Sequence, residues 1–189
     1  MNKPHKLYRW TGLLTMLLVT VALRPPAAKR KLVADKALST LTYSMKHPMH
    51  NWEGVSREVN CAAVYDDEAR KLESVAVSAR VASFNSRNEN RDSHALEVLE
   101  ALKYPNVTFV SQSVQPNADG SLTVAGRLTF HNVTRPVTVQ ATRKEAVGKM
   151  TVEGNFDVNL SDYKIERPSL MMMPVDDKMN LKFVIVFPI

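Results

Sequence analysis

The chain has 189 residues, enough for one domain, and carries 25 Lys and Arg against 19 Asp and Glu, a formal net charge of +6. Four basic and no acidic residues lie in the first 28 positions, which leaves 21 basic against 19 acidic residues, or +2, in the remainder. That nearly neutral remainder lacks the basic character typical of nucleic-acid-binding proteins, so a nucleic-acid partner is not implied and we predict none. A single cysteine, Cys61, excludes an intramolecular disulfide, and we expect its side chain to be buried in an apolar core.

The first 28 residues have the pattern of a secretory signal peptide. Basic residues (Lys3, Lys6 and Arg9) precede an uncharged run at 10–23, and small residues follow up to Ala28. The run is shorter than the roughly 20 residues that a membrane-spanning helix needs, which makes a membrane anchor the weaker alternative. We predict a signal peptide at 1–28, cleaved near Ala28, and a periplasmic or secreted domain at 31–189.

Alternation of apolar and polar residues with period two dominates the chain after residue 30. This pattern is typical of strands that bury one face. It predicts about eight strands, around 41–45, 52–65, 75–81, 107–109, 122–130, 137–141, 150–160 and 181–187. Turn signals between these segments, such as 117–120 and 132–136, favour an antiparallel meander.

One helix is predicted within this series of strands. Ala95, Val98, Leu99 and Leu102 recur at helical spacing between 90 and 102, and Pro105 follows the run. Such a short helix is best interpreted as a flap over one end of the sheet. The polar segment at 85–94 leads into it.

That polar segment admits two interpretations. In the functional one, Arg91, with Asp92 and His94 beside it and Arg87 as a second cation, binds the polar head of a ligand. In the structural one, Asn90 or Asp92 caps the helix and Arg91 fixes the loop.

A sheet with one apolar face must close on itself or stack on another sheet. Gly126 and Gly154 lie inside strands, where glycine is typically found at sharp bends of a barrel wall, so we predict an all-β, antiparallel barrel of about eight strands. A barrel of this size is either filled by its own side chains or holds one small ligand. The candidate lining residues are Tyr43, Val77, Phe109, Leu128, Phe130, Val139, Val152, Phe156 and Phe183.

Motifs for metal binding and catalysis are weak or absent. His47 and His50, with His94 or His131, invite a metal hypothesis, but the proline between the first two does not give the helical pair that metal motifs use. The sequence has no G-x-S-x-G elbow, phosphate loop or dinucleotide fingerprint. We therefore predict no catalytic residue, no metal and no cofactor other than a bound lipid, with a hydrolase based on Asp92 and His94 as the weakest rival.

Three segments resemble the YceI-like family. Residues 88–94 read N-E-N-R-D-S-H and resemble the family's N-x-x-R-D-x-H motif. Residues 104–109 read Y-P-N-V-T-F and resemble its Y-P-x-I-x-F strand. Residues 126–137 read G-R-L-T-F-H-N-V-T-R-P-V and resemble its G-x-L-T-I-H-G-V-T-K-P-V hairpin. The order and spacing extend the resemblance over 31–189. One departure is Asn132 in place of the usual glycine, and asparagine tolerates the positive φ of such a turn.

The resemblance implies a lipocalin-like barrel that is exported to the periplasm and holds a polyisoprenoid or similar long-chain amphiphile in an apolar interior. It implies carriage rather than catalysis. The alternative is a non-catalytic periplasmic interaction or stress-response module with a packed barrel. A transient membrane contact, with 171–173 as a compliant lip, and a homodimer are further candidate interactions.

Overall fold

The structure, a computed structural model, describes residues 29–170 and 172–189. The predicted signal peptide at 1–28 lies outside the described residues. Among the residues that are described, no helix is long and apolar enough to cross a membrane.

Strands account for most of the described chain, with one α-helix between the fifth and sixth. In chain order the elements are β1 (Lys29–Val33), β2 (Thr40–His47), β3 (His50–Ser56), β4 (Val59–Asp66), β5 (Lys71–Arg80), α1 (Glu89–Val98), β6 (Asn106–Pro116), β7 (Ser121–Phe130), β8 (Val133–Ala146), β9 (Lys149–Asn159), β10 (Ser169–Leu170), β11 (Met173–Pro174) and β12 (Lys178–Pro188). Short 3₁₀ turns lie at Val81–Ser83 and Ser161–Tyr163.

Ten strands form one antiparallel sheet in the order β1-β4-β5-β6-β7-β8-β9-β12-β2-β3, curled into a half-barrel, while β10 and β11 form a small separate ribbon. The predicted all-β, antiparallel, lipocalin-like architecture is confirmed, with ten strands in the main sheet rather than about eight. One added strand is β1, which the alternation pattern did not predict.

The other added strand arises because the segment predicted as one strand from 52 to 65 is two. It breaks at Arg57 and Glu58, where the Glu58 amide donates to Ser56 Oγ at 3.2 Å, and β3 and β4 then pair in different parts of the sheet. The buried positions change phase across the break, from Gly54 and Ser56 to Val59. The two strands therefore bury opposite phases of the sequence.

β1 and β3 are the edge strands of the half-barrel. On its unpaired side, each edge forms only isolated backbone hydrogen bonds to other parts of the chain. Past the end of β1, the Asp35 amide donates to the Val186 carbonyl of β12 at 2.7 Å. In β3, Val55 exchanges two backbone hydrogen bonds with Asn85, of 3.0 and 3.1 Å. We call these two sets of contacts the seam.

The strand connections fall at two ends. The antiparallel register places the β2–β3 turn, the β5–β6 connection with α1, the β7–β8 turn and the β9–β12 connection at one end, which we call the helix end. The β4–β5, β6–β7 and β8–β9 turns lie at the other, far end. At the far end, the guanidinium groups of Arg30 and Arg143 lie 5.6 and 5.4 Å from the centre of the buried Tyr65 ring.

The helix is shorter than predicted. It ends at Val98 rather than 102, and Glu100 follows in a left-handed conformation with φ 44°. The resulting turn leaves Leu102, predicted on the apolar helix face, fully exposed. The cap was also wrongly predicted as Asn90 or Asp92, since the side chain of Asn88 accepts the Arg91 amide at 3.0 Å.

The glycines inside strands make room for aromatic rings on neighbouring strands. A Cβ at Gly126 would lie 2.5 Å from the Phe109 ring, and one at Gly154 would lie 2.8 Å from the Phe183 ring. Each ring thus lies over a glycine, an arrangement that secures strand register in curved sheets.

The β7–β8 turn confirms that Asn132 can replace glycine. His131 and Asn132 both have positive φ, 47° and 59°, as a two-residue type I′ hairpin turn requires.

Two apolar clusters follow one another along the barrel axis. The cluster toward the far end includes Tyr65, Met150 and Phe187, and the cluster toward the helix end includes Phe130 and Tyr163. Phe109 packs against both. The space between and beside these clusters defines the interior.

Candidate functional site

Among the described residues, two cavities lie inside the half-barrel. The inner cavity, toward the far end, has a volume of about 100 Å³, and the outer cavity, at the helix end, has a volume of about 470 Å³. The larger volume lies in the range of roughly 300–1,000 Å³ that is typical of small-molecule sites. Val107 and Leu181 line both cavities, so the two spaces meet at these side chains.

Apolar side chains line the inner cavity almost entirely. Seven residues predicted to line the barrel interior surround it: Val77, Phe109, Leu128, Val139, Val152, Phe156 and Phe183. Cys61 lies in the same wall and is buried, as predicted. Burial in apolar surroundings raises the pKa of its thiol to about 12, so the thiol is neutral and unreactive at neutral pH.

The outer cavity combines apolar walls with a polar side. The remaining two predicted interior residues, Tyr43 and Phe130, line it, together with apolar residues of α1 and of the β9–β12 connection. All three predicted head-group residues, Arg91, Asp92 and His94, also line it. Arg87 is exposed and is not among the lining residues of either cavity.

The polar side is built around Arg91. Its guanidinium lies 5.1 Å from the centre of the Trp52 ring, and Nη1 donates to Ser86 Oγ at 3.3 Å. This stacking holds a cation at the cavity wall while leaving further guanidinium donors available. The Tyr43 phenol lies nearby, and burial, followed by the charge of Asp92, raises its pKa.

Asp92 shapes the loop before the helix. Its two carboxylate oxygens each accept the Ser86 amide at 3.1 Å, which fixes the segment that leads into α1. Asp92 thus stabilises the loop without capping the helix, and it also lines the outer cavity. His94 is largely exposed, and its Nδ1 lies 3.8 Å from the Glu97 carboxylate.

The other histidines contact protein groups. His47 is buried, accepts the Met49 amide on Nδ1 at 3.2 Å and lies with Nε2 3.1 Å from the Met173 carbonyl. His131 lies with one nitrogen 3.0 Å from a Glu100 carboxylate oxygen and the other 3.1 Å from the Tyr163 carbonyl. Within the described residues, no group of three or more His, Cys, Asp or Glu is arranged to hold a metal ion.

Sequence reasoning missed several residues of the outer cavity. Trp52 and His50 lie on β3, with ring centres 5.3 Å apart, and Ile165 and Val175 come from the long β9–β12 connection. For Trp52 and His50, the available sequence signal was an aromatic residue close to two histidines. The second pair has no periodic pattern, because it lies outside regular strands.

Comparisons with known proteins identify the fold and the family. A model of the YceI-like domain matches residues 32–187. A protein of Pseudomonas fluorescens named UPF0312 protein is 30% identical over 159 residues, which cover 79% of each chain.

Solved structures show the same fold. BcnA of Burkholderia cenocepacia superposes with a TM-score of 0.73 at 23% identity, over 81% of this chain and 98% of that one. A polyisoprenoid binding domain from Saccharophagus degradans, implicated in plant cell wall breakdown, superposes with a TM-score of 0.65 at 12% identity, over 83% of this chain and 97% of that one. The match of the family model over residues 32–187 shows that the chain belongs to the YceI-like family.

Proposed function

We propose that this protein binds and carries a polyisoprenoid or a similar long-chain amphiphile, without catalysing a reaction on it. The observation that carries the proposal is the outer cavity of about 470 Å³, apolar on most sides and polar around Arg91. The ligand's tail packs against the apolar walls, and its head lies beside Arg91 and Trp52. The solved relative that is named for polyisoprenoid binding supports this ligand class.

Burial of the tail offsets much of the free-energy cost of forming such a complex. At about 0.8 kcal/mol per buried methylene, about ten buried carbons contribute roughly 8 kcal/mol, within the range of roughly 4–15 kcal/mol that association costs. Polar contacts at the head then orient the ligand and add a smaller contribution to the affinity. The rival proposal, a fully packed interaction or stress-response module, is disfavoured by the volume of the interior.

Native mass spectrometry of gently purified protein tests this function, together with extraction and identification of the bound molecule. We expect a copurifying apolar compound. The variant Val107→Trp places a large ring between the two cavities and should remove most of the bound compound. Val110→Trp, on the exposed face of the same strand, is the matched control and should retain it. Equal occupancy in both variants, or protein that stays empty when offered lipid, would rule out the proposal.

The head-group role of Arg91 is tested separately. Arg91→Ala should weaken binding of a prenyl phosphate about tenfold or more, because a hydrogen bond to a charged group contributes about 1.5–3 kcal/mol. Arg87→Ala makes the same change in net charge outside the cavity lining and should leave the affinity unchanged. If both variants bind like the parent protein, Arg91 only shapes the loop.

Export completes the proposal. The basic, apolar and small-residue order of 1–28 supports secretion to the periplasm or medium. Cell fractionation followed by N-terminal sequencing should find a mature chain that begins near residue 29. Protein retained at full length in the cytoplasm would contradict export while leaving the binding proposal intact.

We also propose that the helix end contacts a membrane transiently during loading. Three exposed apolar residues lie in connections at this end: Met49, Leu102 and Met172, with exposed fractions of 56%, 103% and 97%. Co-sedimentation with phosphatidylcholine–phosphatidylglycerol vesicles should weaken in a Leu102→Ser/Met172→Ser variant. Val147→Ser changes an equally exposed residue at the far end and serves as the control. Equal binding of both variants would exclude this face.

A further inference from the structure

The boundary between the two cavities is built from a small set of side chains. Val107 on β6 and Leu181 on β12 line both spaces. Phe109, Leu128 and Phe156 line the inner cavity but pack with the apolar cluster of the helix end. We call these five residues the septum. Since β6 and β12 are separated by three strands in the sheet, Val107 and Leu181 approach from different walls of the half-barrel.

The inner cavity behind the septum is small and apolar. Its volume of about 100 Å³ is below that of an engineered cavity of about 150 Å³ that stays dry and binds benzene. A void of this kind destabilises a fold when it is empty, because the side chains around it lose packing partners. Native interiors contain few voids larger than a water molecule.

An end of an apolar ligand would fill this void. A ligand that enters the inner cavity from the outer cavity passes Val107 and Leu181, which line both. The volume of the inner cavity is smaller than that of the engineered benzene-binding cavity, so it holds only the end of a ligand. The polar side of the outer cavity, around Arg91, fixes the other end of an amphiphile. The barrel therefore sets the distance between the two ends of the bound ligand.

We propose that the septum and the inner cavity measure the tail of the ligand, an inference that rests on the proposed function. The tail extends from Arg91 through the outer cavity, and its terminal branched unit passes Val107 and Leu181 into the inner cavity. Tails that fall one isoprene unit short leave the inner cavity empty and bind more weakly. The ligand class is therefore a prenyl or branched alkyl amphiphile of one preferred length.

Ala141 offers a way to close the inner cavity. It is buried in its wall on β8, and Ala141→Leu fills the space with added side-chain carbons. Ala146→Leu makes the same change at an exposed position of the same strand and is the matched control. Cys61→Met fills the same cavity from β4 and replaces Ala141→Leu if that variant does not fold.

Calorimetric titration with geraniol, farnesol and geranylgeraniol, which differ by one isoprene unit each, tests the inference. For the parent protein and Ala146→Leu, affinity should rise along the series to the same preferred length. For Ala141→Leu, that length should become one unit shorter, with binding of the parent's preferred alcohol weakened about tenfold or more. Leu181→Ala, which widens the septum, should preserve binding of the longest alcohol.

The outcomes separate the two proposals. If all three alcohols bind the parent protein but Ala141→Leu and Cys61→Met leave every affinity unchanged, the measuring role is wrong and the binding function stands. If no alcohol binds the parent protein and no lipid copurifies with it, the binding function fails and the measuring role fails with it.

Discussion

At the scale of single residues, the burial of Cys61 in the interior predicts how stability depends on pH. Its thiol is neutral in the folded protein because burial raises the pKa to about 12, whereas the ordinary value is 9.0. The folded state therefore disfavours ionisation that the unfolded chain permits. The thiol therefore leaves the free energy of unfolding unchanged below about pH 9. It lowers that free energy as the pH rises from about 9 towards 12.

We predict that Cys61→Val removes this part of the alkaline destabilisation. Urea unfolding at neutral pH and at about pH 10 should show the parent protein losing about 1 kcal/mol more than the variant, because each unit of pKa difference corresponds to about 1.4 kcal/mol. The comparison between the two proteins cancels contributions from other groups, such as Tyr43 and Tyr163, whose pKa values burial also raises. Parallel pH profiles would show that the thiol ionises freely in the folded state.

The inward-facing residues were predictable because strand alternation does not depend on which strands pair. All nine predicted interior residues line one of the two cavities. The environment of Arg91 was not predictable in the same way. Its contact with Trp52 joins residues 39 positions apart, and it exists only because β3 lies at the sheet edge beside the loop that precedes α1.

At the scale of elements, the β8–β9 hairpin contains a correctable strain. Val147 and Gly148 form its turn with φ of 46° and 71°, and the valine is fully exposed. A β-branched residue is unfavourable in the left-handed region, and no packing compensates for it here.

Val147→Asn should stabilise the protein by about 1 kcal/mol, because asparagine adopts this conformation more readily. Val147→Ala, which keeps a Cβ without the side-chain amide, should give less stabilisation. Thermal unfolding of the three proteins measures the difference. An asparagine variant no more stable than the alanine variant would show that the turn is unstrained.

The helix contributes partly exposed residues to the outer cavity wall. None of its residues is buried, and its first turn depends on the Asn88 side chain that accepts the Arg91 amide. Asn88→Ala should destabilise α1 by about 1 kcal/mol while leaving the melting temperature of the sheet nearly unchanged. Hydrogen exchange should accelerate in α1, and a bound ligand should dissociate faster.

Asn88→Asp retains a capping oxygen and should behave like the parent protein in both measurements. If Asn88→Ala leaves exchange in α1 and ligand dissociation unchanged, the helix does not control access to the cavity.

Element boundaries were harder to predict than element types. Helical spacing correctly indicated a helix after residue 89, but it could not show that the chain leaves the helix after Val98, because Leu99 and Leu102 continue the apolar pattern. Leu102 is exposed through the left-handed turn at Glu100, a backbone conformation that the side-chain pattern does not encode.

At the scale of the whole molecule, the sequence indicated the architecture but not how its edges meet. Alternation and short turns specify neighbouring pairs such as β6–β7 and β7–β8. The pairing of β2 with β12 joins opposite ends of the chain, and β1 pairs with β4 rather than with the next strand, so neither pairing follows from local pattern. These long-range pairs determine where the seam lies.

The seam should be the part of the sheet that opens most readily. The Asp35, Val55 and Asn85 amides form isolated hydrogen bonds there, whereas an amide such as that of Ala141 lies within a continuous ladder between β7 and β9. Opening an isolated pair breaks few contacts, so we expect seam amides to exchange at least about tenfold faster than those in the centre of β8.

A ligand should protect one part of this seam more than the other. Phe84, which lines the outer cavity, immediately precedes Asn85, so a tail packed against Phe84 restrains the Val55–Asn85 pair. The Asp35–Val186 contact does not involve a residue that lines the outer cavity. Hydrogen exchange with and without a bound prenyl alcohol should therefore slow at Val55 and Asn85 more than at Asp35. Equal protection at both sites would mean that the ligand stabilises the fold globally rather than by closing the half-barrel beside its own binding site.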